Sequence, residues 1–131
     1  MRYVALLVIG LFIGSLGAVA AISALSKGTP YHDALMAVMK YQMGALHGIS
    51  ESGTCDTGEV ARRFSFMAAA AAEIDAAFLP VGDDDRFREL SGNLNEALAQ
   101  AYASMPATCP AVKQAMDDVG KHCKGCHDVF R

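Results

Sequence analysis

Hydrophobic and polar positions repeat at helical spacing along most of the chain from about residue 30 onward. Apolar residues recur at steps of three and four, and no stretch alternates with the period of two that a half-buried β-strand shows. Turn signals divide this pattern into four stretches. The sequence therefore predicts an all-α domain built from four amphipathic helices.

The first two predicted helices have recognisable start and stop signals. The first begins at Thr29, which can cap it, and stops near residues 48–53. The second begins with Asp56 and Glu59, a capping-box-like pair, and ends at Pro80. The expected core faces are Leu35, Met39, Met43 or Gln42, Leu46 and Ile49 in the first helix, and Val60, Phe64, Met67, Ala71, Ile74 and Phe78 in the second.

The third predicted helix opens on the acids of "GDDDRF", which suit the positive end of a helix, and closes at Pro106. The fourth starts at Thr108 or Cys109. Their apolar stripes are Phe87, Leu90, Leu94, Ala97, Ala101 and Met105, and Val112, Met116, Val119, Cys123, Cys126 and Phe130. Alternating steps of three and four are typical of helices packed near +20°, and short connections favour antiparallel neighbours. We expect an up-down-up-down four-helix bundle.

The first 26 residues differ from this pattern. No charged residue lies between Tyr3 and Leu25, and Arg2 precedes the run, so the amino end is expected inside and the rest outside. Two uses remain open: a signal peptide cleaved after a small-x-small site at residues 18–20, or an uncleaved anchor long enough for a hydrocarbon core of ~30 Å. We expect residues 1–26 to be a signal peptide or membrane anchor and residues 27–131 the bundle. The protein would be periplasmic, soluble after cleavage or anchored to the inner membrane by residues 3–25.

Composition excludes some functions. The chain has 11 basic and 14 acidic residues, a net charge of −3, with no basic patch or nucleic-acid-binding motif, so nucleic acid is not an expected partner. No catalytic triad, phosphate-binding loop or carboxylate pair is recognisable, and we do not expect an enzyme.

Two of the four cysteines are predicted to pair. Cys55 lies in the first connection and Cys109 in the third, and in an up-down-up-down bundle odd-numbered connections share one end. An exported chain is expected to oxidise such a pair. A disulfide between Cys55 and Cys109 is the prediction, with two unpaired thiols as the alternative.

The other two cysteines belong to the C-terminal motif "CKGCH". In a c-type cytochrome each cysteine sulfur joins a haem vinyl group and the following histidine binds the iron. On a helix Cys123, Cys126 and His127 project from one side within about one turn. The motif predicts one haem c, attached through Cys123 and Cys126, with His127 as the ligand to the metal.

Three other interpretations of the motif are a zinc site, a redox-active CxxC and a simple disulfide. Zinc would need His122 as a fourth ligand, but this residue points about 100° away from Cys123 on a helix and is expected at the solvated surface. A redox-active CxxC is typical of the start of a helix in a βαβ unit, whereas this motif lies near the end of a helix. A haem-free structural or metal-binding bundle stays as the second class of function.

The terminal stretch "DDVGKHCKGCHDVFR" resembles the last helix of the cytochrome c′ family, and "AVMKYQMGAL" resembles its first helix less specifically. The resemblance covers about residues 30–131. It implies a five-coordinate haem with His127 below the iron and Leu46 over the opposite face, where small uncharged ligands such as NO or CO could displace the leucine. It also matches Arg131 to a basic residue near the proximal face. Electron transfer to an unknown redox partner protein, gas binding, or both are the implied functions.

Some residues depart from the family pattern. Gln42 stands where an arginine is usual, so a salt bridge to a haem propionate is in doubt. Low-spin relatives bind iron through a methionine of the first helix, which makes Met43, or alternatively His47, the candidate sixth ligand of an electron carrier. Core packing is the other role for Met39 and Met43. The family often forms dimers through its first two helices, so a homodimer is possible.

Overall fold

The computed structural model describes residues 30–130, which form five α-helices and one short 3₁₀ turn. The helices are α1 (Tyr31–Ser52), α2 (Thr57–Ala71), α3 (Ile74–Ala77), α4 (Asp85–Ser104) and α5 (Cys109–Phe130), with the 3₁₀ turn at Val81–Asp83. The predicted export segment and Arg131 lie outside the described residues. Within residues 30–130 no helix is long and apolar enough to cross a membrane.

The four long helices form the predicted bundle. Helix α1 packs against α2 and α5, and α4 packs against the same two helices, so α1 lies diagonally opposite α4 and α2 diagonally opposite α5. Short connections join α1 to α2 and α4 to α5, and the segment with α3 and the 3₁₀ turn joins α2 to α4, so each long helix runs antiparallel to the next one in sequence. The all-α four-helix fold is confirmed.

The helix starts follow their capping residues. The Asp56 carboxylate accepts a hydrogen bond from the backbone N–H of Glu59 at 2.8 Å, and the Asp84 carboxylate accepts one from Phe87 at 3.0 Å. Each bond satisfies an orphan N–H of a first helical turn. The reciprocal half of the expected capping box is missing, because the Glu59 side chain pairs with arginines instead. Helix α1 ends before Gly53, whose φ of 74° suits a residue without Cβ.

The core is made of the apolar stripes that face the bundle axis. Fully buried side chains from all four long helices meet there, including Leu46, Phe64, Leu98 and Val112. Leu98 lies outside the predicted stripe of its helix. The prediction that Met105 belongs to the apolar stripe is wrong. Met105 is 56% exposed, and its left-handed conformation (φ 42°) ends α4 just before Pro106.

The second predicted helix is broken in the structure. Helix α2 ends at Ala71, and the expected continuation to Pro80 becomes α3 and the 3₁₀ turn. Tertiary contacts explain the break: the Ser91 hydroxyl of α4 donates to the Asp75 carboxylate at 2.5 Å. A Cβ on Gly82 would collide with the Asp75 carbonyl oxygen. The segment therefore folds back against α4. The spacing of apolar residues within the segment does not predict this contact.

Cys55 and Cys109 are joined in a disulfide at one end of the bundle, with their Cα atoms 5.4 Å apart and a sequence separation of 54. The pair ties the α1–α2 connection to the first residue of α5. This is the pairing that the topology predicts.

Candidate functional site

The candidate site begins with the way α5 is positioned. The Thr108 carbonyl oxygen accepts a hydrogen bond from the Val112 N–H at 2.9 Å, and its hydroxyl lies 3.4 Å from the Ala111 N–H, so the helix starts where the sequence predicts. The buried face of the helix is formed by Val112, Met116 and Val119. That face continues into the CxxCH motif.

Cys123 and Cys126 lie half-buried on this face and pack against the edge of the core. They are free thiols, separate from the Cys55–Cys109 bridge. Burial raises the pKa of both thiols above the ordinary cysteine value, because the thiolate loses solvation. A redox-active CxxC works through a lowered thiol pKa, so the environment of this motif argues against that interpretation.

His127 lies on the last turn of α5, exposed to solvent, and no described residue forms a hydrogen bond with its ring. His122, in contrast, is half-buried and lines a groove of about 630 Å³ between α4 and α5, beside Asp118 and Lys121. In the stretch 30–130 no three His, Cys, Asp or Glu side chains converge as a metal would require, which leaves the zinc interpretation without a ligand set there.

Helix α1 contributes the residues that the sequence assigns to the opposite side of the cofactor. Leu46 is fully buried at 0% exposure, and Gln42, one turn earlier, is 8% exposed. Met43 is half-buried and packs against the core cluster. Since Gln42 contacts α2 and each residue turns the helix by about 100°, Met43 lies on the other flank of the buried stripe, nearer α5.

The remaining candidates of α1 are placed as follows. Met39 is buried in the core, as expected for packing. His47 is exposed, with its Nδ1 3.3 Å from the Glu51 carboxylate on the helix surface. The ring of His32 is partly exposed and packs on Phe78, with centroids 5.2 Å apart.

The Gln42 side chain is held by a residue that the sequence reading missed. The Oε1 atom of Gln42 accepts a hydrogen bond from Nη1 of Arg63 in α2, at 3.0 Å. Arg63 also bonds the Glu59 carboxylate, and its guanidinium lies 5.9 Å from the centre of the Tyr41 ring. The i,i+4 spacing of Glu59 and Arg63 was visible in the sequence, but the contact with α1 depends on the pairing of the helices.

A second unrecognised feature is a row of aromatic rings below the CxxCH motif. Phe130, at the end of α5, packs edge-to-face on Phe87 with centroids 5.2 Å apart, and Phe87 packs on Phe78 at 5.6 Å. The His32 ring closes the row. The rings come from α1, the α3 segment, α4 and α5, and they close the end of the bundle that carries the motif.

The side chains on this face of α5 fit a covalently attached haem. Two free thiols border an apolar interior, and an imidazole without a partner among the described residues follows on the same helix. Thioether formation needs accessible thiols, and iron binding needs a ring nitrogen that is not already engaged. Both conditions hold at Cys123, Cys126 and His127.

The sequence of this chain is similar to those of known proteins. Residues 81–131 match the family model described as Cytochrome C′. Cytochrome c-554 of Cereibacter sphaeroides is 28% identical over 116 residues, covering 74% of this chain and 75% of the relative. A second cytochrome c-554 sequence of that organism is 26% identical over 115 residues, covering 74% of this chain and 86% of the relative.

A solved structure shares the fold. Cytochrome c′ from Rubrivivax gelatinosus superposes with a TM-score of 0.63 at 18% sequence identity, over 75% of this chain and 89% of that one. The fold of this neighbour agrees with the bundle that α1, α2, α4 and α5 form. The family matches imply a covalently attached haem c.

Proposed function

We propose that this protein is an exported mono-haem c-type cytochrome with an open gas-binding site. The proposal proceeds from the three comparisons, which support the cytochrome c′ family. Haem c supplies an iron that exchanges one electron or binds a small diatomic ligand. The protein would supply two cysteines that attach the haem, one histidine that binds the iron, and apolar side chains that crowd the opposite face of the haem. Its functions are binding of NO or CO and single-electron transfer, without turnover of an organic substrate.

Attachment is assigned to Cys123 and Cys126. Each thiol would add across one vinyl double bond, with sulfur bonding one carbon and hydrogen the other, so that no atom is lost. His127 follows on the same helix face and would supply a ring nitrogen to the iron. The half-burial of both thiols at the core edge supports this assignment.

The distal side is assigned to Leu46, and its complete burial is the observation that carries the proposal. A leucine cannot bind iron, so the sixth position would be free of a protein ligand but crowded by apolar atoms. A ligand must then displace the leucine, which favours small uncharged molecules. Packing around a fully buried leucine opposes larger ones.

Met43 is the second candidate for the distal side. It is half-buried on the flank of α1 nearer α5, and a thioether sulfur at the sixth position would give a low-spin electron carrier. His47 is less suited to this role, because its ring pairs with Glu51 at the exposed surface.

One set of spectra tests these assignments. The full chain is expressed with a c-type maturation system, and its mass and ferric and ferrous spectra are recorded with and without NO. We expect the added mass of one haem, a high-spin spectrum and a change on NO addition. The Met43→Leu variant should keep the wild-type spectrum, whereas a shift of that variant from low spin to high spin would assign Met43 as the ligand. A mature protein without haem would overturn the proposal.

Export is proposed from residues 1–26, whose uncharged run suits a signal peptide or an anchor. The bundle would then work in the periplasm. Fractionation followed by the mass of the mature chain distinguishes the two forms: a soluble protein shortened by its first residues indicates cleavage, and a full-length membrane-bound protein indicates an anchor.

The outer surface of α1 and α2 supports a homodimer. Val38, Tyr41 and Phe66 are 45%, 66% and 51% exposed there, which is high for large apolar side chains of neighbouring helices. Sedimentation of the loaded protein and of a Tyr41→Glu variant tests this: we expect a dimer that the charge weakens, and a wild-type monomer at all concentrations would exclude it.

A further inference from the structure

Resting on the proposed attachment of haem to α5, we infer that Arg63 of α2 is the cation that receives a haem propionate, together with the side-chain amide of Gln42. Lys124 of the CxxCH motif is exposed and pairs with Asp128, and Lys40 of α1 is also exposed. The basic side chain comes instead from α2, the helix diagonally opposite α5. Arg63 is thus a binding residue for the cofactor that lies far from the motif in sequence.

The first step of the argument is the chemistry of haem. Its vinyl groups and its two propionates are on opposite edges of the ring. A haem tethered to Cys123 and Cys126 by its vinyls therefore directs its propionates away from α5. Helix α5 packs against α1 and α4, so α2 is the helix across the bundle from it.

The second step concerns the polar groups in the core. Only Gln42 and Ser91 are buried polar side chains among residues 30–130. The Ser91 hydroxyl already donates to the Asp75 carboxylate, which would repel an anion. Gln42 instead accepts from Arg63 through Oε1, which leaves its amide N–H groups free of that contact. A carboxylate beside Gln42 would find both an amide donor and a guanidinium.

The third step is the charge balance. The Glu59 carboxylate is shared between Arg62 and Arg63, so the three side chains together carry one net positive charge. Arg63 is 19% exposed, whereas Arg62 is 57% exposed and points to solvent. Among the ion-paired arginines and lysines of residues 30–130, Arg63 is the most buried. A partly buried cation with spare charge favours an anion far more than an exposed one does.

The test compares Arg63→Gln with Arg62→Gln in the haem-loaded protein. Both changes remove one positive charge from the same Glu59 cluster, and the residues are adjacent, so Arg62→Gln is the matched control. The readouts are the reduction potential and its dependence on pH. Loss of a cation beside a propionate favours the ferric form. We expect Arg63→Gln to lower the ratio of reduced to oxidised protein about tenfold at fixed potential, which is about 59 mV for one electron.

The pH profile separates binding from a structural role. Without Arg63 the propionate should take up a proton as the pH falls from neutral to weakly acidic. The potential of Arg63→Gln should then rise over that range, while the potentials of the wild type and Arg62→Gln stay nearly level. A merely structural arginine would change stability without this pH dependence. Arg63→Met, which keeps the side-chain length, replaces Arg63→Gln if that variant is not recovered folded.

The outcomes are distinct. A lower, pH-dependent potential in the Arg63 variant alone supports the inference. Equal potentials and equal pH profiles in both variants overturn it while leaving the haem assignment intact. A wild-type chain that gains no haem mass during maturation overturns the proposed function itself.

Discussion

The two ends of α5 are held by different means. At its start Cys109 is covalently tied to Cys55 in the first connection. At its end Phe130 is held only by packing, edge-to-face on Phe87. Because the thiols and His127 lie toward the second end, the part of the helix that carries the candidate site depends on weak contacts.

Burial along α5 shows the same difference. Val112, Met116 and Val119 are buried, but no later residue of the described helix is. Cys123 and Cys126 are half-buried, and Phe130 is 36% exposed. The first half of the helix is stabilised by the protein core, whereas the second half carries the candidate haem site. The predictions that follow concern one end of α5 or the other.

The largest effect is expected from Cys123→Ser combined with Cys126→Ser. Without sulfur no thioether forms, so the matured protein should lack covalent haem entirely. Mass spectrometry measures this directly. The Cys55–Cys109 bridge should persist in the same sample, and retention of covalent haem by the double variant would show that the attachment site is elsewhere.

The next effect is expected from Cys55→Ser combined with Cys109→Ser. The bridge joins cysteines with a sequence separation of 54. From loop-closure entropy, we expect its removal to lower the free energy of unfolding by at most about 4 kcal/mol. Denaturant titration of the two loaded proteins measures it. Haem content should remain that of the wild type, and a drop in haem content would mean that the two ends of α5 are not independent.

A smaller effect is expected from Phe130→Ala. The variant loses an edge-to-face aromatic contact worth about 1 kcal/mol in addition to some apolar burial. The free energy of unfolding should fall by that order. Val129→Ala is the neighbouring control: Val129 is 54% exposed, and the change should cost less than about 0.5 kcal/mol. Equal losses in both variants would argue against the anchoring role of the ring.

The smallest effect is a difference in rate at the thiols of the haem-free chain. Burial raises the pKa of Cys123 and Cys126, so less thiolate is present at a given pH below that pKa. Alkylation by iodoacetamide at mildly alkaline pH should therefore be slower in the folded chain than in the same chain in denaturant. Alkylated peptides counted by mass spectrometry give the rates, and equal rates would contradict the burial of these thiols.

Much of the fold was predictable from local pattern. The stripes of Leu35 and Leu46 in α1 and of Val60 and Phe64 in α2 are buried as expected. The caps at Asp56 and Asp84 form as their sequences indicate, because an N-cap bond involves residues only three apart. Spacing alone also brought Cys123, Cys126 and His127 onto neighbouring turns of one helix.

The two failures have different causes. The helix break after Ala71 depends on the contact between Asp75 and Ser91, which lies on another helix. Met105 was assigned to the core because it continues an apolar spacing, but the helix ends there and the side chain turns to solvent.

The sequence by itself determined the four amphipathic helices and the CxxCH motif, since both follow from short-range spacing. Only the tertiary structure decided that Arg63 reaches Gln42 and that rings from four elements close the end of the bundle. These contacts join helices whose order around the bundle is set by the packing of whole faces. Periodicity along one helix identifies a face but does not name the residue that it will meet.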